Sequence, residues 1–153
     1  MSAAEPPVDG PGGPEKLSLV LFSGSFDKVH YALAMAAAAL ASNRQATLFF
    51  TMGAARALLA EDAEGPGWRR LHATEEGLSP LAADAELTAR GLGNFEELLS
   101  ACVALGGTVM VCEMGLRALG LTPKALRTDV PVTQGGLVSF LADASASGAM
   151  VFV

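Results

Sequence analysis

Apolar residues gather in two short runs near the start of the chain, and a helical pattern separates them. Residues 17–22 (LSLVLF) form the first run, and residues 46–52 (ATLFFTM) form the second. Between them, from Asp27 to residues 42–43, apolar side chains recur at helical spacing. Apolar runs of this length are typical of strands buried in a parallel sheet, and strand–helix–strand units cross over with a right hand. The pattern therefore predicts a βαβ unit.

A helix followed by a strand recurs later in the chain. Asn94 stands at the start of a helical pattern, and Glu97, three residues further on, completes a capping box. Residues 106–107 (GG) end this helix, residues 108–112 (TVMVC) form the next apolar run, and a short helix follows from Glu113. We therefore expect a strand that runs directly into a helix.

The remaining segments complete the predicted fold. Residues 61–93 are acidic and weakly periodic, so we expect an extended loop or lid there, with a short strand near residues 70–73. Residues 137–147 have the pattern of an amphipathic helix, and residues 150–153 that of a final strand. The inner face of that helix is predicted to consist of Leu137, Phe140, Leu141 and Ala144. The order of elements favours a three-layer α/β/α sandwich with a mostly parallel open sheet of about five strands.

Composition narrows the class of protein. The chain has 153 residues, which suits one folded domain over residues 16–153 after a disordered leader of residues 1–15. Hydrophobic residues make up 51% and charged residues only 17%, so we expect part of the surface to be buried in a homo-oligomer. The net charge is −6 and the basic residues are scattered, which argues against a nucleic-acid partner.

The sequence carries no pattern of export or membrane insertion. Residues 1–15 lack the apolar core of a signal peptide, and no apolar stretch reaches the roughly 20 residues that span a bilayer. We therefore expect a cytoplasmic protein without a membrane span, whose two cysteines stay reduced. The cysteines and the distant His30 and His72 do not form a metal site, and no cofactor is expected.

Cys112 is the first candidate for chemistry. It is the last residue of the predicted strand over residues 108–112 and directly precedes a helix, whose N-terminal dipole favours a thiolate. The adjacent Glu113 opposes that effect, and a buried, inert cysteine is the alternative. Cys102 lies on the apolar face of the preceding helix and is predicted to be a core residue. Basic residues that follow the thiol and add positive potential are Arg117, Lys124 and Arg127.

The turn after the first strand is the second candidate. Residues 23–25 (SGS), with backbone amides at a helix N-terminus, form a rim that suits an anion. Residues 24–30 (GSFDKVH) also resemble the GSFDPxHxGH motif of nucleotidylyltransferases, but Lys28 replaces the proline and Leu33 stands at the second histidine position. We therefore keep one alternative function, a non-catalytic binding or assembly protein for a small anion or nucleotide, in which Cys112 is structural.

Three segments resemble the DsrE/DsrF-like family of sulfur-relay proteins, in particular its single-domain peroxiredoxin-like members. Residues 19–58 are similar to the family's opening strand, SGxxDK turn, helix and FFTxxG strand. Residues 95–121 are similar to its helix, strand and CxMSMxxMG signature, and residues 135–153 to its closing GGVATYLEDAxxS helix and final strand. The resemblance covers roughly two thirds of the chain in the family's order and implies the α/β/α fold and a homo-oligomer.

The resemblance also implies a function and a site. It implies a sulfur carrier or sulfurtransferase-like protein that holds sulfane sulfur as a persulfide on Cys112, between a donor and an acceptor protein. Gly115 stands where the family often has serine, and Leu116 and Leu119 replace methionines. The predicted site consists of Cys112 as the catalytic residue and of Gly24, Ser25, Asp27, Lys28, Glu113 and Met114 as pocket residues.

Overall fold

Five parallel strands form one sheet in the computed structural model, which describes residues 12–153. The strands are β1 (Lys16–Leu21), β2 (Gln45–Phe50), β3 (Thr108–Cys112), β4 (Val132–Gly135) and β5 (Ala149–Phe152). Their order across the sheet is β4-β3-β2-β1-β5, and every neighbouring pair runs parallel. Helices cover both faces of the sheet, so the predicted α/β/α class is confirmed.

Within the described residues, five α-helices connect and cover the strands. They are α1 (Phe26–Ala41), α2 (Pro80–Ala89), α3 (Phe95–Ala104), α4 (Glu113–Ala118) and α5 (Leu137–Asp143). Shorter 3₁₀ segments occupy Met52–Leu58, Gly67–Arg70 and Pro123–Ala125. No helix within residues 12–153 is long and apolar enough to cross a membrane.

The main core lies on the sheet face that α1 and α3 cover, here called the α1 face. Helix α1 buries Val29, Leu33 and Ala36 along one stripe against β1 and β2. Helix α3 packs on α1 and begins where Asn94 Oδ1 accepts a hydrogen bond from the Glu97 N–H at 3.0 Å, which confirms the predicted N-cap.

The opposite face of the sheet has a smaller core under α5 and is here called the α5 face. Side chains alternate between the faces of a strand, so Val20, Phe49, Met110 and Cys112 all point to this side. Phe140 of α5 stacks on Phe49 with ring centroids 4.6 Å apart and an interplanar angle of 19°. The α5 face is thus closed by a short helix and one large side chain.

Helix α5 differs from its prediction in length and in orientation. It ends at Asp143 rather than extending to residue 147, and of its seven residues only Phe140 is buried. Leu137 and Leu141, predicted to face inward, are 50% and 59% exposed, and Ala144 lies beyond the helix. A seven-residue helix makes about two turns, so few of its side chains can face the sheet.

Two further elements were not predicted. The segment over residues 61–93, predicted as an extended loop, contains α2, whose N-cap Ser79 accepts a hydrogen bond from the Ala82 N–H and precedes Pro80. The strand expected near residues 70–73 is reduced to a single bridge between Ser25 and His72. Strand β4 was also missed.

The chain before β1 touches the body of the protein where it is described. Of the predicted leader, residues 1–11 lie outside the described residues. Arg44 Nε donates to the Pro14 carbonyl at 2.9 Å, and the Glu15 N–H donates to the Ser147 carbonyl at 3.3 Å. The sheet then begins at Lys16, the predicted start of the domain.

Candidate functional site

Cys112 lies where the sequence places it, at the carboxyl end of β3 and as the N-cap residue of α4. Its side chain belongs to the apolar cluster of the α5 face and has no exposed surface. The thiol is therefore buried in the same cluster as Phe140 of α5 and is not open to solvent. Glu113 and Met114, which follow it in α4, are exposed.

Gly115 allows α4 to sit close to the turn that follows β2. A Cβ added to Gly115 would lie 2.5 Å from the Met52 backbone nitrogen and 2.7 Å from Thr51 Oγ1, well inside van der Waals contact. Met52 itself has φ of +47°, a left-handed conformation that is uncommon for a residue other than glycine. The glycine at this position, where the resemblance implies a serine, is thus needed for this packing.

The predicted anion rim after β1 is occupied by the protein's own groups. The Ser25 N–H donates to Ser23 Oγ at 3.2 Å, and the Phe26 N–H donates to the His72 carbonyl at 3.1 Å. The His72 N–H in turn donates to the Gly24 carbonyl at 2.8 Å. Because the Ser25 and Phe26 amides already have acceptors within the protein, these two are not available to bind an anion.

Asp27 and Lys28 hold the segment over residues 61–93 against the start of α1. Asp27 Oδ2 accepts from the Glu75 N–H at 3.1 Å, and Lys28 Nζ pairs with Glu75 Oε1 at 3.4 Å. The Lys28–Glu75 pair is exposed, so it adds little stability. These residues therefore attach the segment over residues 61–93 to the body of the domain.

The structure divides the predicted site between two places. Gly24, Ser25, Asp27 and Lys28 lie at the start of α1, whereas the Cys112 thiol points to the α5 face. Strand β2 stands between β1 and β3, the two strands that lead to these places. The cluster that buries the thiol contains none of the other predicted site residues.

A cleft of about 410 Å³ that the sequence did not predict lies between α1 and α2. Its apolar floor includes Phe26 and Leu87. Its charged residues are mostly acidic and comprise Asp27, Glu75, Glu76, Glu86 and Arg90. His30 also lines it and shares a hydrogen bond of 2.8 Å with the Gly93 carbonyl oxygen. An acidic rim disfavours phosphate-bearing ligands. Asp27 is the residue that the cleft shares with the predicted pocket.

Cys102 differs from Cys112 in its surroundings. It is fully buried under α1 and α3, and its thiol donates to the Leu33 carbonyl at 3.5 Å. Burial raises the pKa of the Cys102 thiol to about 11, which keeps it protonated and unreactive at neutral pH. The prediction that Cys102 is a core residue is confirmed.

Arg127 does not serve the thiol. Its guanidinium pairs with Glu96 of α3 at 2.9 Å and with Asp129 at 2.7 Å. The hydrogen bonds that the guanidinium donates to Asp129 and Glu96 raise the pKa of Arg127, and the same contact with Arg127 lowers the pKa of Asp129. Trp68 Nε1 also donates to Glu96, at 3.1 Å. Trp68 thus joins the segment over residues 61–93 to α3, and Arg127 joins the chain before β4 to α3.

Comparison with known proteins identifies the family. Across residues 12–153, no group of three or more His, Cys, Asp or Glu side chains is placed to hold a metal ion. A search of the curated proteins found no match. A sequence model of the DsrE/DsrF-like family matches residues 18–152, nearly the whole chain. With its parallel α/β/α fold and this match, the chain belongs to the DsrE/DsrF-like family.

Proposed function

We propose that the chain carries sulfane sulfur as a persulfide on Cys112. The DsrE/DsrF-like family is linked to sulfur relay in general, and its model spans this chain. The observation that carries the proposal is the position of Cys112, at the carboxyl end of a central strand and at the N-cap of α4. Ligand and reaction sites of open parallel sheets lie at the carboxyl ends of the strands.

The transfer step needs a thiolate and a sulfur donor and no other reagent. The Cys112 thiolate attacks the outer sulfur of a donor persulfide, a new S–S bond forms on Cys112, and the donor's S–S bond breaks. The electron pair of the broken bond leaves with the donor's thiolate, so no external oxidant is consumed. The reverse step on an acceptor thiolate passes the sulfur onward. A carrier of this kind requires no general base.

Burial of Cys112 suits storage of the sulfur. In the apolar cluster with Phe49, Met110 and Phe140, a persulfide is kept from water and from competing thiols. The exposed side chains of Glu113 and Met114 lie at the same strand end and are the surface that a donor or acceptor meets first. Transfer in either direction then requires α5 to move.

Mass spectrometry tests the proposal. After treatment with inorganic polysulfide and removal of excess reagent, we expect the wild type to gain the mass of one sulfur atom, located by peptide mapping on Cys112. Cys112→Ser should lose this gain completely, whereas the matched variant Cys102→Ser should keep it. A wild type that gains no sulfur, or a sulfur mapped to Cys102, would contradict the proposal.

We also propose that the chain assembles with copies of itself. Phe22, Met150 and Phe152 are 46%, 50% and 69% exposed on the part of the α5 face near β5 that α5 does not cover. The rings of Phe22 and Phe152 lie 5.5 Å apart, so the patch is continuous. An apolar patch on an edge strand is best stabilised by burial against another copy.

Light scattering tests the assembly. We expect a wild type larger than a monomer, and Phe152→Ser should shift it toward the monomer. Leu81→Ser, which changes an exposed leucine of α2, is the matched control and should leave the mass unchanged. A monomeric wild type would contradict the proposal.

Both cysteines are free thiols, in keeping with a proposed site of action in the reducing cytoplasm.

A further inference from the structure

Helix α5 lies on the sheet face where Cys112 is buried, contributes Phe140 to the same cluster, and is held to the sheet at few points. Phe140 is its one buried residue, and Leu137, Val138 and Leu141 are at least half exposed. A helix of seven residues is not stable by itself in water, because so few hydrogen bonds do not offset the cost of nucleation. Its position therefore depends on Phe140 and on polar contacts at its ends.

We propose that α5 is a gate over Cys112, fastened by a latch of Asp143, Lys16 and Thr47. The proposal rests on the proposed function for its purpose, since a sulfur carrier must open this cover to exchange sulfur. The contacts that hold α5 in place are observed in the structure and do not depend on that function. The latch joins the last residue of α5 to β1 and β2, and the gate pivots at residues 135–136 (GG).

The latch is a set of short contacts around one carboxylate. Asp143 Oδ2 lies 2.8 Å from Lys16 Nζ and accepts from Thr47 Oγ1 at 2.6 Å. Lys16 Nζ also donates to the Asp143 carbonyl at 2.8 Å, where a positive charge complements the negative end of the α5 dipole. Charge-assisted hydrogen bonds of this length are stronger than neutral ones.

Lys16 is an unusual residue at its position. It is 8% exposed in β1, and lysine is almost never buried without a partner. Within the described residues, both partners of its ammonium group belong to Asp143. The sheet thus holds a buried cation whose counter-charge comes from the gate, and breaking the latch separates the two charges.

The pivot has room to turn. A Cβ added to Gly136 would meet no atom within 4 Å, and its φ of −112° and ψ of −174° are open to any residue. Alanine at this position therefore fits the closed state while reducing the backbone freedom of other states. Gly136→Ala should keep the gate closed for longer.

Alkylation by iodoacetamide, with each cysteine followed separately by peptide mapping, tests the gate. Cys102 lies on the other side of the sheet and reports global unfolding. We expect Asp143→Asn to speed alkylation of Cys112 about tenfold or more without speeding that of Cys102. Gly136→Ala should slow Cys112 about two- to fivefold. Asp129→Asn, which removes another carboxylate paired with a basic side chain, is the control and should change neither rate.

Several outcomes would overturn the gate. They are an unchanged Cys112 rate in Asp143→Asn, equal acceleration of both cysteines, or the same acceleration in Asp129→Asn. If Asp143→Asn does not fold, Gly136→Ala decides: a rate for Cys112 at or above that of the wild type refutes the pivot. Alkylation needs no sulfur donor, so these results are independent of whether Cys112 forms a persulfide.

Discussion

Restoring a side chain at Gly115 should destabilise the protein even though glycine is a poor helix former. In Gly115→Ala the new Cβ would lie 2.5 Å from the Met52 nitrogen and 3.0 Å from the Thr51 Cα. Both are backbone atoms, so a rotamer change of a flexible side chain does not relieve the clash. The family's serine at this position would meet the same atoms.

Two effects of opposite sign set the size of the change. Overpacking of a closely packed site costs about 1–3 kcal/mol, and alanine in place of glycine within a helix returns up to about 1 kcal/mol. Since the contact at Gly115 is shorter than any relaxed Cβ contact, we take the upper part of the range for the cost of overpacking. Gly115→Ala should therefore lower the free energy of unfolding by about 1–2 kcal/mol.

Urea denaturation followed by circular dichroism measures this change. Gly12→Ala is the matched control, because a Cβ there meets no atom within 4 Å, and it should stay within about 0.5 kcal/mol of the wild type. A Gly115→Ala variant as stable as the control would refute the close packing of α4 on the turn after β2. It would also remove the explanation for glycine at this signature position.

Three further predictions test other parts of the structure. Phe140→Ala should lower the free energy of unfolding by about 3–5 kcal/mol in urea denaturation, whereas Leu141→Ala, on the exposed side of α5, should change it by less than about 0.5 kcal/mol. Equal effects would contradict the orientation of α5. Asn94→Ala should cost about 1 kcal/mol in the same assay, and no loss would mean that the N-cap is idle. Burial opposes the charge of Asp143, but hydrogen bonds from Lys16 and Thr47 outweigh it and lower its pKa. The folded-state pKa thus lies below the unfolded value of about 4, so this contribution is present above that pH and is lost as the pH falls through the folded value. Asp143→Asn should flatten that part of the stability–pH curve, and an unchanged curve would contradict the latch.

The three central strands of the sheet were predicted well because their residues are largely buried on both faces. Strand β1 is buried throughout and β2 at five of its six residues, so each reads as an apolar run. Strand β3 likewise ends at Cys112, as predicted, because its four last residues are buried.

The elements that were missed carry little apolar signal. Strand β4 (VTQG) lies at the edge of the sheet and has two exposed polar residues, so it has no apolar run. Helix α2 buries only Pro80 and Ala83, too few to show a helical period. Its Ser79-Pro80 start was the one local signal that would have revealed it.

The candidate site was likewise predicted in part. The placement of Cys112 followed from its strand, but its burial did not, because the cluster that buries it includes Phe140, which lies 28 positions later in the chain. The sequence pattern of α5 placed Leu137 and Leu141 inside as well, and the structure leaves both exposed. Likewise, nothing in the neighbouring sequence indicated that Lys16 pairs with Asp143, since that contact joins the two ends of the domain.

The proposal that Cys112 carries sulfane sulfur is best tested by the mass of the intact protein, purified without reductant and measured before and after polysulfide treatment. We expect one added sulfur atom on Cys112 that dithiothreitol removes and that is absent from Cys112→Ser. A wild type that carries no added sulfur on Cys112 in either state would contradict it.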